Sequence, residues 1–466
     1  MSAQLAVSEL LHVDVRELPS AGLTPAAVYR VLRGSGDAVL IEGGAAPGRT
    51  ASQAFIGLDP LETLVCNEDP AMLELIRARF ERYRRALATL PYAYGFVCTF
   101  AYDAALALHG ISALPRVRRL FGDAYVFIPG TWVSLDPVAG RVTLSGIFRS
   151  SAERTATKER LDDYVRRLSA ASPDGTAARG RSTPVIPSQR AQASLSSRAF
   201  LARVAQAQRA IRRGDVYQLV VGIRFSCAYR GEALVLYERL VSRNPSPCAF
   251  LIERDGRALV GASPEFLVRL EGERAELRPL AGTRPRGHTP QRDEFLAAEL
   301  LADAKERAEH VMLVDLGRND LSRVCRVGSV RVDQTLAVER YSHVMHLASS
   351  VSGRLVKGRD AFDLFAAAFP AGTVTGTPKR RAMELIARLE PTARDAYAGS
   401  VAHFRFDGSM DAALTLRSIA LANGEAVWQA GAGIVDRSEP ALEYAEVLAK
   451  TRIARAVLGV EEPNVA

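Results

Sequence analysis

Between Ala171 and Ser197 the chain loses all apolar periodicity. The stretch ASPDGTAARGRSTPVIPSQRAQASLSS is dominated by Ser, Pro, Gly, Ala and Arg. A segment with no face to bury reads as an exposed connection. Whatever this 466-residue chain folds into must therefore be assembled from the parts on either side. Residues 1–170 form an N-terminal α/β lobe in this reading, 171–196 a linker, and 197–460 a second, larger region. In the first part, β-like runs (Ala38–Glu42, Phe96–Phe100, Tyr125–Ile128, Trp132–Leu135, Arg141–Ile147) alternate with helical stretches such as Pro70–Leu90. After the linker a helix is predicted from a Ser196/Ser197 cap, with Phe200, Val204, Ala207 and Ile211 on one stripe. Neither part shows a 20–50-residue repeat or regular β-α-β spacing. The expectation is an α+β protein with mostly antiparallel sheets.

Composition narrows the function classes. With 48% hydrophobic residues and a mean hydropathy of +0.01 the chain can build a core, which excludes disorder as its dominant state. The net charge of +8 is spread along the sequence and is almost all arginine, since only Lys158, Lys305, Lys357, Lys379 and Lys450 are lysines. Without a basic tract interleaved with aromatics, no nucleic-acid partner is expected. A mild positive surplus equally suits a small anionic substrate. The five cysteines stand singly, which suits buried thiols in a reducing compartment. The N-terminus lacks a basic leader, and no stretch approaches ~18 uncharged apolar residues. No membrane partner and a cytoplasmic location are expected.

Several clusters could carry chemistry. Glu306 and Glu309 in ADAKERAEHV are three apart and share a helix face, as do Glu443, Glu446 and Lys450 after a Ser438-Glu439-Pro440 helix start. Two such helices could hold a hard divalent cation, or each could be a solvated charged face. The small-residue segment Ala430-Gly431-Ala432-Gly433 lets backbone approach an anion, or simply ends a strand tightly. Pro370–Lys379, running into a helix over Arg380–Leu389, offers hydroxyls and free N–H groups for a carboxylate, or is a capped loop. Glu265, at a turn after Ala258–Val260, is a candidate acid if desolvated. His343 and His346 have no adjacent carboxylate or thiol to make a metal site with them.

Taken together and in order, these blocks resemble the chorismate-utilising enzymes, whose members include anthranilate synthase component I and, as a near relative, aminodeoxychorismate synthase component I. The resemblance spans Ser197–Gly459. It rests on Gly214–Gln218, Asn244–Pro247, the Ser263-Pro264-Glu265 turn, Arg278–Gly287, Lys305–Asp320, Tyr341–His346, Thr373–Lys379, Asp411–Arg417 and Gln429–Lys450. It implies two-layer antiparallel sheets flanked by helices and a Mg²⁺ held by Glu309 and Glu446, with Glu306 and Glu443 beside them. It further implies Glu265 as the acid that protonates the departing C4 hydroxyl of chorismate. Tyr397, Arg417, Gly431, Gly433 and Lys450 would hold substrate carboxylates, Thr373 the ring carboxylate, and His346 would lie over the ring.

The resemblance also discriminates between members. Relatives that add water at C2 have a lysine base where this chain has Gln218, and an amide cannot take a proton near neutral pH. Many aminodeoxychorismate synthases use a nucleophilic lysine that would fall at Ala281. The expected reaction is attack of ammonia on C2 to give 2-amino-2-deoxyisochorismate, then loss of pyruvate to give anthranilate. The ammonia would come from a separate glutamine amidotransferase, because no G-x-C-x-G nucleophile segment is present. The oligomeric state is left open. Alternatives are a 2-amino-2-deoxyisochorismate synthase, a 4-amino-4-deoxychorismate synthase component I, or an inactive amidotransferase-binding scaffold. Thr375-Gly376-Thr377 and Ser400-Val401-Ala402-His403 depart from the usual pattern of anthranilate synthases and could reshape the pocket beside the ring, which keeps those alternatives open. Leu40-Ile41-Glu42-Gly43 and Cys248-Ala249 depart from the family's tryptophan site, so weak or absent inhibition by tryptophan is expected.

Overall fold

The computed structural model describes residues 11–43, 53–87, 94–111, 120–171, 189–340 and 344–463. Most of the linker, the last three residues of the helix expected over Pro70–Leu90, the first ten residues and Tyr341–His343 lie outside them. The architecture is α+β, with two large antiparallel sheets and helices on their outer sides.

The larger sheet runs, strand beside strand, through His12–Pro19, Arg141–Phe148, Thr131–Asp136, Ala54–Leu58, Ala38–Gly43, Cys248–Arg254, Arg257–Ser263, Ser418–Ala422, Glu425–Ile434, Gln218–Ala228 and Gln192–Ala193. The second includes Val344–Arg354, Phe266–Glu271, Met410–Leu414, Ser400–Arg405, Gly95–Phe100 and Ala124–Ile128. Strands from both sides of the linker lie next to each other in both sheets. Ala38–Gly43 pairs with Cys248–Arg254 in one, and Gly95–Phe100 with Ser400–Arg405 in the other. The end of the Ala171–Ser197 stretch is itself paired, because Gln192–Ala193 adds to the edge of the larger sheet against Phe225 and Ser226.

The core under the outer face of the second sheet is aromatic: Phe362 stacks on Phe404 at 4.3 Å between ring centres, and Phe80 meets Phe96, Phe362 and Phe406 edge-on or tilted. On the other face of that strand, between the sheets, His403 sits against Phe55 and Trp132 of the first. Such contacts add ~1 kcal/mol each beyond area burial, and their partners come from both ends of the chain.

Two helices carry the paired carboxylates. Ala304–Ser322 starts at Asp303, whose carboxylate accepts the Lys305 and Glu306 N–H groups. It buries His310, Leu313, Val314, Gly317 and Leu321 against the second sheet. Pro440–Leu458 begins with proline, where a missing N–H costs nothing, and stops at Gly459, whose φ of +72° suits the left-handed cap. It packs Tyr444, Val447 and Ala454 against the larger sheet. Each helix thus belongs to a different layer.

Candidate active site

The two helices bring their carboxylates to the same place. Burial pushes the Glu309 carboxyl up from its ordinary value, and the neighbouring Glu306 and Glu446 carboxylates push it further, against the Gln218 amide and Lys305. Glu443 is raised by burial and by Glu446, with the Ser438 hydroxyl opposing. Glu446 reaches Lys450 at 2.7 Å, and the Lys450 ammonium also donates to the Gly431 carbonyl at 2.9 Å. Glu306 is gripped by Arg284 at 3.4 Å, an arginine that also holds Glu299 and Asp303. Among the described residues no three His, Cys, Asp or Glu side chains stand close enough to hold a metal ion without moving. The donor set nevertheless suits a hard cation: carboxylates that raise one another's proton affinity are relieved by a divalent charge with oxygen preference.

Gln218 closes the inner wall of this acidic cleft. Its side chain is 3% exposed, its amide N–H donates to Glu309 at 2.8 Å, and its carbonyl oxygen is buried without a hydrogen-bond partner. Gly433, paired in register with Val220, lies against it, so that a Cβ there would stand 2.6 Å from the Gln218 amide nitrogen and 3.4 Å from Glu309. At Gly431 a Cβ would come within 3.1 Å of the Tyr397 hydroxyl. The spacing of these two glycines on Glu425–Ile434 is thus a requirement of the cleft, with both residues facing the same side of the strand.

In a separate recess, Glu265 is 8% exposed and its carboxyl is pushed up to about 8 by burial, against the pull of the Thr373 hydroxyl, which donates to it at 3.0 Å. A protonated carboxyl at neutral pH is the state an acid catalyst needs. Of the charged side chains lining the same recess, Arg278 is paired with Glu339 and Asp320 with Lys379. His346 has its Nδ1 3.0 Å from the Gly282 carbonyl, so Nδ1 carries the proton and Nε2 is the acceptor of the neutral ring. Burial draws this ring down to about 4, the Gly282 bond opposing and Arg417 and Lys450 adding to it. Gly282 in turn lies beside Glu306, so His346 and the acidic cleft share a wall. Arg417 is held by the Asn244 side-chain oxygen at 3.1 Å and adopts a left-handed φ of +47°, a strained conformation for a non-glycine residue.

The structure therefore gathers Gln218, Glu306, Glu309, Tyr397, Gly431, Gly433, Glu446 and Lys450 around one cleft, joins His346 and Arg417 to it, and pairs Glu265 with Thr373. Of the two departing segments, Thr375 turns its hydroxyl onto the Ala371 carbonyl of its own loop and His403 points into the intersheet core, while Gly376 and Thr377 pair with Leu219 and Gln218 at the edge of the cleft. Lys379 is spent on a buried ion pair with Asp320 at 2.8 Å and offers nothing to a ligand. The roles of Asn244 and Arg284 escape sequence spacing, since their partners lie 173 and 22 residues away.

A family model described as chorismate binding enzyme matches residues 41–456. The chain belongs to that family. This chorismate-binding enzyme is 40% identical over 452 residues to an anthranilate synthase component 1 of Streptomyces coelicolor, covering 94% of the chain and 87% of the relative. It is 37% identical to that of Mycolicibacterium smegmatis, covering 97% and 91%. Among solved structures, anthranilate synthase component I from Streptococcus pneumoniae superposes with a TM-score of 0.75 at 28% identity, covering 95% of the chorismate-binding enzyme and 99% of that chain. No helix among the described residues is long and apolar enough to cross a membrane.

Proposed function

We propose that this enzyme converts chorismate and ammonia to anthranilate and pyruvate through 2-amino-2-deoxyisochorismate. The observation that carries this reading is Gln218. At the inner wall of the cleft stands an amide whose N–H is committed to Glu309. It cannot deprotonate water, so the nucleophile must be one that attacks in its neutral form without losing a proton first, as ammonia does.

Glu309 and Glu446 would hold a Mg²⁺, with Glu306 and Glu443 beside them. When bound, the ion supplies charge neutralisation and orientation for the substrate's ring carboxylate. Lys450, the Gly431–Gly433 backbone, Tyr397 and Arg417 hold carboxylate oxygens; Arg417 is pre-aimed by Asn244. Thr373 steers both the ring carboxylate and Glu265. Glu265 keeps its proton in the dry recess and delivers it to the C4 hydroxyl as ammonia attacks C2. His346 stays neutral over the ring, presenting Nε2 to the leaving oxygen's side. A glutaminase subunit would supply the ammonia in the cell, and free ammonia should replace it in vitro.

The test is incubation of the chain with chorismate, Mg²⁺ and ammonium, followed by product mass. Anthranilate with pyruvate supports the reading. A 2-amino-2-deoxyisochorismate or 4-amino-4-deoxychorismate mass would move the enzyme to one of the sister activities, and intact chorismate would defeat it.

A further inference from the structure

Beneath the cleft lies an ion pair that the proposed chemistry does not use. Glu390, at the end of the helix Lys379–Leu389, and Arg394 form a two-point contact at 2.9 and 2.6 Å, with side chains 2% and 1% exposed. Neither spends its capacity on the other alone. Arg394 donates to the Val374 carbonyl at 2.6 Å and to the Val220 carbonyl at 3.0 Å. Its guanidinium lies 4.5 Å from the Tyr102 ring centre and 5.5 Å from that of Tyr397. Glu390 accepts the Gly222 N–H at 2.8 Å and the Gln429 side-chain N–H at 3.5 Å.

Four of these six anchors sit within two residues of a group facing the cleft, and a fifth, Gly222, pairs in register with Gly431. Val374 follows Thr373, Val220 is two residues from Gln218, Gln429 is two from Gly431, and Tyr397 is itself a wall. The pair fastens the loop, both cleft strands and the Tyr397 ring to common atoms. We propose that Glu390 and Arg394 are positioning residues, which set the Thr373 hydroxyl against Glu265 and the Tyr397 ring against Gly431. A buried ion pair retained for stability alone would be replaceable by packed apolar residues at little loss. A pair retained for position is not, because a lysine ammonium gathers its three donors on one nitrogen and cannot span the four separate acceptor atoms that the guanidinium fork reaches.

The inference rests on the reading of Glu265 as proton donor, and its test separates the two. Steady-state kinetics with chorismate at fixed free ammonia are compared for wild type, Arg394→Lys, Thr373→Val and the double variant, with thermal melts alongside. Arg394→Lys should lower kcat/KM about 10- to 100-fold while still melting cooperatively. Its alkaline limb should move upward by about one pH unit, the size of one lost hydrogen bond to the carboxylate. Thr373→Val should move the limb the same way, and the double variant should lose little beyond the worse single, because both act through one hydroxyl. Should Arg394→Lys not fold, Glu390→Leu/Arg394→Met keeps the packing and must show the same kinetic loss. An unmoved limb with additive losses, or an apolar pair with wild-type kcat/KM, would overturn the proposal. A Glu265→Gln variant with full turnover would instead bring down the proton-donor reading, and the positioning role with it.

Discussion

The acidic cleft and the small cavity between the sheets differ in how their charges are matched. The cavity, of about 60 Å³, is lined by Ile41, Glu42, Gly43, Cys248, Ala249, Arg269, His403, Arg405 and Asp411 among others. There Glu42 takes a hydrogen bond from the Tyr237 hydroxyl, and Arg269 and Arg405 both clasp Asp411. In the cleft, Glu309 is instead pressed by Glu306 and Glu446 and answered mainly by a neutral amide. Where buried carboxylates are satisfied by the chain, they are architecture; where they confront one another, a cation would complete them in the proposed reading.

The comparison breaks first at Glu309. Glu309→Gln or Glu446→Gln should cut chorismate consumption by about three orders of magnitude or more, as expected when the ion's charge stabilisation is lost. Their melting temperatures without Mg²⁺ should stay at or above wild type, since repulsion is relieved. Near-normal turnover in either would refute the metal assignment. Glu265→Gln comes next, with a loss of about 10²- to 10⁴-fold. In the wild type the acid form is the active one, so kcat/KM at fixed free ammonia should fall as pH rises through about 8; a limb that persists in the glutamine variant would assign it elsewhere.

On the cavity side the effects should be on stability. Asp411→Asn strands two arginines and should cost about 2 kcal/mol in urea unfolding, with turnover changed less than about twofold. Burial raises the Asp411 carboxyl, but Arg405 and Arg269 outweigh it and leave it below its ordinary value. Its contribution is therefore present above the unfolded carboxyl's range and is lost as pH drops below about 4. The smallest effect is expected from tryptophan. The cavity is far below the ~300 Å³ at which small-molecule pockets begin, and Tyr237 already occupies Glu42. A micromolar inhibition constant would show that it opens.

Much of the cleft is legible in the sequence because its signals are local. Glu306 and Glu309, Glu443 and Glu446, and Gly431 and Gly433 follow helix and strand periods, so a shared face can be read from spacing. Their convergence cannot: it depends on one helix lying on each sheet, a matter of topology that only the family resemblance supplies. The buried Glu390–Arg394 pair escapes notice because an i, i+4 pair on its own is an ordinary surface contact. Its burial comes from strands about 170 residues upstream. The Ala171–Ser197 stretch is likewise visible as composition, while the strand pairings that join the parts before and after it into shared sheets have no signature in sequence.

Those pairings have a consequence for how the polypeptide is made. Ala38–Gly43 pairs early with Ala54–Leu58, but its second edge finds its neighbour only when Cys248–Arg254 emerges, about two hundred residues later. At ribosomal rates of about 5–20 residues per second that is a wait of roughly 10–40 s. A nascent chain with an open hydrogen-bonding edge for that long is exposed to pairing with its neighbours on the same message, so holdase chaperones rather than stronger contacts would be the natural safeguard of its yield.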